Sequence, residues 1–460
     1  MTLIKSISGI RGTIGGAVSD NLTPIDAVKF AAAYGMWIKE QRKKTNYRVV
    51  IGRDARISGE MIQSLVMNTL VGMGIDVVNL GLSTTPTVEV AVPMEHADGG
   101  LILTASHNPK QWNALKLVDS NGEFLNATHS QRLLDLAESE EVIFAEVDDL
   151  GKITVNDAYF DLHIDEVLEL DYVDVKAIKS CKFKVVVDGV NSTGGIAVPL
   201  LLERLGVEPI KLHCTPNGHF PHNPEPLKAH LTDLSEKVVQ TGADFGIAVD
   251  PDVDRLAFMD EKGELFGEEY TLVACADYVL SQNKGNTVSN LSSTRALRDV
   301  TEKHGGTYIA SAVGEVNVVN AMKANKAVIG GEGNGGVILP EAHYGRDALV
   351  GIALFLSLLA EKQISVSTLK NTYPLYFMSK KKIDLNPTID VDGLLQLIEN
   401  KYANEPLTTL DGVKIDFADS WVHLRKSNTE PIIRIYTEAP SQQQADALAD
   451  RFISELKELQ

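Results

Sequence analysis

The sequence predicts an α/β protein built from several domains, on three observations. At 460 residues and 44% apolar composition, the chain is too long for one ordinary core and rich enough for several. Short apolar runs end repeatedly in polar or glycine-rich turns and then give way to apolar-periodic helices. That rhythm belongs to largely parallel sheets. From about residue 369 the character changes: Lys380, Lys381 and Lys382 introduce shorter strand runs, and one last helix closes the chain.

In chain order, Ile7-Ser8-Gly9-Ile10-Arg11-Gly12 comes first. Glycines flanking a lone arginine predict a tight loop that offers N–H groups and a guanidinium to an oxyanion. Thr23 caps and Pro24 begins a helix running through Ile38. The strand Val49-Val50-Ile51 ends in Gly52-Arg53-Asp54-Ala55-Arg56, whose two arginines suit anion contacts. A helix from Glu60 to Met73, a strand from Asp76 to Leu80 and the loop Thr84-Thr85-Pro86 follow. The apolar run Leu101-Ile102-Leu103 then leads into Thr104-Ala105-Ser106-His107-Asn108-Pro109. Ser106 is a candidate nucleophile or phosphate carrier, and His107 a proton relay. Pro109 holds Asn108 extended. Alone, this hexapeptide also fits a plain turn. A strand from Ala114 to Val118 carries one charge, Lys116.

An acidic, helical connection spans Ser130 to Val173. A second unit starts near Lys182, with the strand Phe183 to Val187, a helix after Gly194-Gly195 and a strand from Pro209 to His213. Pro216 to Pro226 reads as a long loop in which His219 and His222 are ordinary loop histidines. Phe245-Gly246-Ile247-Ala248-Val249 is a central strand ending in Asp250-Pro251-Asp252-Val253-Asp254-Arg255. Three crowded carboxylates repel one another without a cation, and such hard oxygen ligands suit Mg²⁺. The third unit alternates strand and helix until Ala327-Val328-Ile329 enters Gly330-Gly331-Glu332-Gly333-Asn334-Gly335-Gly336. Five glycines around Glu332 and Asn334 allow close backbone approach to a ligand, and such hydrogen-bonding groups suit sugar hydroxyls. His343, Arg346 and Asp347 follow closely enough to face the same cleft. Leu349 to Ala360 is the most apolar stretch, short for a membrane span, and reads as a buried helix. In the last unit, Arg425-Lys426-Ser427-Asn428-Thr429-Glu430-Pro431, with Arg434 behind it, has the donors to cover a phosphate.

A net charge of −19 argues against nucleic-acid binding. It leaves room for a locally positive cleft and an anionic small substrate. Cys181, Cys214 and Cys275 stand far apart without metal-like spacing, as in a reduced compartment. The expectation is a cytoplasmic protein without a membrane span; whether it is monomer or homodimer is left open.

Together these stretches resemble the alpha-D-phosphohexomutase family, with motifs in order along nearly the whole chain: Thr104 to Pro109, Asp250 to Arg255, Glu332 to Gly335, and Arg425 to Pro431 plus Arg434. The resemblance implies three related α/β domains with mixed sheets, and a smaller C-terminal α+β domain, around a central cleft. Residues 1–150 would carry the phosphoserine loop, 151–255 the metal loop, 256–368 the sugar-recognition loop and 369–460 the phosphate-binding domain. It implies Ser106 as the phosphoserine. Asp250, Asp252 and Asp254 would hold Mg²⁺ with the Ser106 oxygen. Arg255 would support the phosphoryl group, and Arg11, His107 and Lys116 would manage protons. Glu332 and Asn334 would hold the sugar, with His343 facing the same cleft. Arg425, Ser427, Asn428, Thr429 and Arg434 would grip the phosphate that is not reacting. A hexose 1,6-bisphosphate is the implied intermediate and activator.

Some positions depart from the family pattern. Pro251 stands where glycine is usual and Lys426 where proline is common, but the three carboxylates remain. The sugar loop reads Glu-Gly-Asn-Gly rather than Glu-Gln-Ser-Gly, and with Trp112 to Lys116 it looks like the archaeal-type branch. The expected activity is phosphoglucosamine mutase. A phosphoglucomutase/phosphomannomutase and a non-catalytic sugar-phosphate-binding protein are the alternatives.

Overall fold

The computed structural model describes every residue except 1, 7–8, 43, 140, 385–389, 427–431 and 460. Its strands form four sheets. The first contains β1 (Ile4–Ser6), β2 (Gly9–Thr13), β3 (Tyr47–Arg53), β4 (Ile75–Leu82), β5 (Gly99–Leu103), β6 (Trp112–Val118) and β7 (Ile153–Val155). Their order is β1-β2-β6-β5-β3-β4-β7. The second contains β8 (Lys184–Asp188), β9 (Glu208–Leu212), β10 (Phe245–Val249) and β11 (Leu256–Met259), in the order β11-β10-β8-β9. The third contains β12 (Asn286–Asn290), β13 (Tyr308–Ser311), β14 (Ala327–Glu332) and β15 (Gly336–Ile338), in the order β13-β12-β14-β15.

These three sheets share one plan. Each has one strand flanked by two parallel partners (β3, β8 and β12), and the later of these partners turns back into an antiparallel neighbour. The repeated rhythm in the sequence thus reflects repeated topology. The turning hairpins are β5–β6, β10–β11 and β14–β15. Their connections hold, respectively, Ser106, the three aspartates and Asn334.

Two expectations change here. Leu256–Met259 belongs to the second sheet, because its backbone pairs with β10; the expected boundary at residue 255 cuts that hairpin. The N-terminal glycine-rich segment is a strand, β2, laid against β6, rather than a tight loop. Its glycines allow close approach. A Cβ on Gly9 would lie 2.4 Å from the Leu115 carbonyl oxygen, and one on Gly12 would lie 2.9 Å from the Leu22 nitrogen.

Period-two alternation fills both faces of the first sheet. Val49, Ile51, Leu101 and Leu103 pack against the helices Pro24–Gln41 and Gly59–Gly72. Val50 and Ile102 pack on the other side against Thr85–Met94. Thr23 does cap its helix, in a capping box with Asp26. The second and third sheets share one core. Phe355, on the buried helix Ala348–Lys362, stacks on Phe258 of β11 at 3.8 Å between ring centroids. No helix among the described residues is long and apolar enough to cross a membrane. The three cysteines are free.

The fourth sheet is antiparallel: β16 (Phe377–Asp384), β17 (Leu407–Thr408), β18 (Val413–Asp416), β19 (Trp421–Lys426) and β20 (Ile432–Ala439), ordered β16-β20-β19-β18-β17. The helices Val391–Lys401 and Gln442–Glu458 pack with it around a separate core. It meets the third domain through polar contacts. Lys414 Nζ donates to the Leu291 carbonyl (2.9 Å), and His423 Nδ1 lies 2.9 Å from Ser292 Oγ.

His423 Nε2 donates to the Asp411 carbonyl, so the neutral ring satisfies both contacts. Burial pushes its pKa down to about 4 from the ordinary 6.5. The unfolded chain therefore binds the extra proton first. This ring's contribution is complete above pH 6.5 and is lost as pH falls toward 4, by about 3 kcal/mol. Thermal unfolding of the wild type and His423→Gln across that range should show a stability difference that shrinks with acidification. A constant difference would contradict a buried neutral ring.

Candidate active site

The connection between β5 and β6 is held by its backbone. Ser106 has φ +47°, a conformation costly for a residue with a Cβ. Its N–H donates to Thr104 Oγ1 (2.9 Å), whose hydroxyl donates to Asp54 Oδ2 (2.7 Å). Arg56 lies beneath, fully buried. Its Nε donates to Asp54, and its terminal nitrogens donate to the carbonyls of Ser106, Asn108 (2.7 Å), Pro109 (2.8 Å) and Trp112 (2.9 Å). The sequence expectation of two anion-contacting arginines is therefore corrected. Arg56 is spent on loop carbonyls, and Arg53 binds Gln63 and the Asp54 carbonyl.

The β10–β11 turn meets this loop head-on. Ser106 Oγ donates to Asp250 Oδ2 at 2.7 Å. Asp250, Asp252 and Asp254 are fully buried, each with a carboxylate oxygen within 4.8 Å of the others. Asp250 Oδ1 accepts the backbone N–H groups of Asp254 and Arg255. Lys116 Nζ donates to Asp252 Oδ2 (2.6 Å) and Asp254 Oδ2 (3.1 Å), and Thr85 Oγ1 also donates to Asp252 Oδ2.

Burial and the two neighbouring carboxylates push the Asp250 carboxyl well up. Burial works the same way on Asp254, but Arg346 and Lys116 outweigh it and hold that group below the usual carboxylate range. Asp252 Oδ1 and Asp254 Oδ1 find no hydrogen-bond partner among the described residues. Three converging carboxylates with two unpaired buried oxygens fit a hard divalent cation, with the Ser106 hydroxyl at its edge.

On the other side of Ser106, arginines gather near His107. His107 Nδ1 is 3.3 Å from Ser106 Oγ. Burial, together with Arg255, Arg11 and Arg346, pushes the imidazole pKa well down and keeps the ring neutral. Burial and Arg255 also lower that of Arg11. Arg255 Nη1 pairs with Glu225 (3.0 Å), while its buried Nε finds no hydrogen-bond partner among the described residues. Cations gathered this closely favour a bound oxyanion.

Arg346 ties the aspartates to the glycine-rich loop. Its guanidinium reaches Asp254 (2.8 Å), Glu332 (2.9 Å) and Glu315 (3.0 Å). Glu332 is buried and also accepts from Asn290 Nδ2 and Gly314 N; Asn334 is half-buried beside it. His343 pairs with Asp347 (3.2 Å) and lies 3.4 Å from Glu89, at the seam between the first and third domains. In the fourth domain, Arg425 and Arg434 are direct cross-strand partners, with Lys382 opposite Arg434 on the other side. Like charges set in a row repel one another; Asp411 Oδ2, 2.8 Å from Arg425 Nε, offsets part of this repulsion. Ser427, Asn428 and Thr429 lie outside the described residues.

Models of the phosphoglucomutase/phosphomannomutase family match in sequence: alpha/beta/alpha domain I at residues 3–143, domain II at 161–263, domain III at 267–376 and the C-terminal domain at 381–455. The chain belongs to this phosphohexomutase family. A phosphoglucomutase/phosphomannomutase of Thermococcus kodakarensis is 36% identical over 97% of this chain and 98% of its own length. A phosphoglucosamine/phosphogalactosamine mutase of Sulfurisphaera tokodaii is 30% identical over 98% and 97%. The crystal structure of a family protein from Burkholderia thailandensis superposes with TM-score 0.84 at 26% identity, covering 99% of this chain and 98% of that one.

As a phosphohexomutase the protein is an intramolecular phosphotransferase, an isomerase. Thr85, Glu89 and Glu315 are neighbours of the candidate site that sequence reasoning missed, and Arg56 is one to which it gave the wrong role. For Arg56 a signal existed: Asp54, two residues before it, supplies its ion pair.

Proposed function

We propose that this phosphohexomutase interconverts glucosamine 6-phosphate and glucosamine 1-phosphate through a phosphoserine at Ser106. The observation that carries the phosphotransfer reading is the Ser106 hydroxyl set 2.7 Å from Asp250, against two unpaired buried carboxylate oxygens and beneath a cationic rim. Phosphorylated Ser106 gives its phosphoryl group to the free O1 of the 6-phosphate. The O–P bond to Ser106 breaks, one to O1 forms, and the O1 proton leaves to a nearby base. The 1,6-bisphosphate reorients and returns its 6-phosphoryl group to Ser106; added bisphosphate acts as activator by restoring the phosphoserine.

His107, neutral and beside Ser106, takes and returns the proton, with Arg11 and Lys116 as the other candidates. Arg255 steadies the phosphoryl oxygens. Glu332, Asn334 and His343 meet the sugar. Arg425 and Arg434, with Ser427, Asn428 and Thr429, hold the distal phosphate and so position either end of the substrate. Asp250, Asp252 and Asp254 would hold Mg²⁺, which when bound neutralises charge on the transferred group.

Asp252→Asn should raise the Mg²⁺ concentration needed for half-maximal rate by at least about tenfold, because one ligand charge is lost. An unchanged Mg²⁺ dependence would remove Asp252 from the site.

The amino-sugar assignment follows the relative from Sulfurisphaera tokodaii. The name of the Thermococcus kodakarensis relative favours a second reading, the same chemistry on glucose and mannose phosphates. Comparing kcat/KM for the 1-phosphates of glucosamine, glucose and mannose, with Mg²⁺ and the matching bisphosphate, separates the two. Preference for the amino sugar sustains the first; equal or better turnover of the others establishes the second.

A further inference from the structure

A second cluster of ligand-type side chains lies on the second domain, outside the phosphotransfer site. Asp188 ends β8, and His213 directly follows β9. The two strands are parallel neighbours, with Asp188 in register with Leu212, so their carboxyl ends stand side by side. His222 reaches the same place from the Pro216–Pro226 loop. The three residues each offer a ligand atom within 4.8 Å of the other two. The sequence reading left His222 without partners at metal spacing; its partners come from strand ends instead.

The surroundings are arranged as for a ligating site. The Asp188 side chain is only 1% exposed, and those of His222 and His213 are 15% and 19% exposed. His222 Nδ1 lies 2.8 Å from the Asn223 carbonyl, which fixes that nitrogen as the donor and turns Nε2 toward Asp188 Oδ2 at 3.0 Å. Asp188 Oδ1 accepts the Val190 N–H at 3.0 Å, which orients the carboxylate. His213 Nε2 is 3.1 Å from Asp233 Oδ2.

We propose that Asp188, His213 and His222 form a second metal site, separate from the aspartate triad, that takes a borderline transition ion such as Zn²⁺. Two imidazoles and one carboxylate select such an ion over Mg²⁺, which prefers oxygen ligands. Without metal, the same place is held by the 3.0 Å contact between His222 Nε2 and Asp188 Oδ2.

The site fastens a loop that bridges two domains. On that loop, a Cβ on Gly218 would lie 2.1 Å from the Ala55 carbonyl oxygen. The Phe220 ring lies 5.1 Å from the Arg56 guanidinium, and Glu225 holds Arg255. Metal at the Asp188 cluster therefore anchors the loop that lies over the support of the Ser106 loop.

The test is Co²⁺ titration of the full-length protein under saturating Mg²⁺, followed by ligand-field absorption. One Co²⁺ per chain is expected. His213→Ala and His222→Ala should each weaken its binding by more than the roughly 10–100-fold typical of losing an outer-shell partner. Asp252→Asn should leave it unchanged. His222→Gln, a smaller change to the loop, should show the same loss if the fold of His222→Ala is in doubt. Absence of Co²⁺ uptake, uptake unaffected by both histidine substitutions, or uptake lost in Asp252→Asn would each overturn the proposal. The first two outcomes leave the phosphotransfer reading untouched, and the third would place the Co²⁺ at the aspartate triad instead.

Discussion

Replacing Ser106 with alanine is expected to lower turnover of every hexose phosphate by at least about 10⁴-fold, the scale lost when a covalent nucleophile is removed. The fold should survive, because the loop is shaped by backbone contacts that alanine keeps. The residue's N–H still meets Thr104, and its carbonyl still meets Arg56. Alanine bears the same positive φ as serine, since both carry a Cβ. What is lost is the hydrogen bond to Asp250, worth about 1–2 kcal/mol, and the longer contact with His107 Nδ1. Three measurements suffice: isomer formation, thermal unfolding, and intact mass for the phosphate. A variant that isomerises at the normal rate would show that the phosphoryl group is carried elsewhere.

Arg56→Met should be costly in a different way. Methionine fills much of the volume but donates nothing to the four carbonyls or to Asp54. Burial already holds the Asp54 carboxyl above its usual range with the guanidinium beside it. Breaking a buried pair from one side costs about 3–5 kcal/mol. With its carbonyls unpaired, the loop would release Ser106 from its strained position, and a misplacement of about 1 Å costs on the order of 10²-fold in rate. Both losses should appear together, in denaturant unfolding and in kcat. Loss of rate with unchanged stability would mean that Arg56 acts on the substrate instead of the loop.

Those two residues mark what was legible in the sequence. The loop around Ser106, the aspartate turn and the glycine-rich loop were legible because each follows a short apolar run, a local pattern. The role of Arg56 was not, since its carbonyl acceptors lie about fifty residues further along. Arg11 was misplaced for the same reason: Gly9 and Gly12 resemble a turn until β6 closes on them. The register that sets Arg425 beside Arg434 is likewise a property of strand pairing. His222 looked ordinary because Asp188 and His213 reach it only through the sheet.

The shared core of the second and third sheets has a consequence for synthesis. Phe245 and Phe258 of the second sheet lie against Phe355, which leaves the ribosome roughly a hundred residues after β10. The first domain closes its own cores with nearby residues and is ready to fold as it emerges. The second must wait with an uncovered aromatic face until the helix Ala348–Lys362 arrives. Nascent chains are thus most prone to association in that interval, and any fragment ending before residue 348 keeps the exposed face permanently.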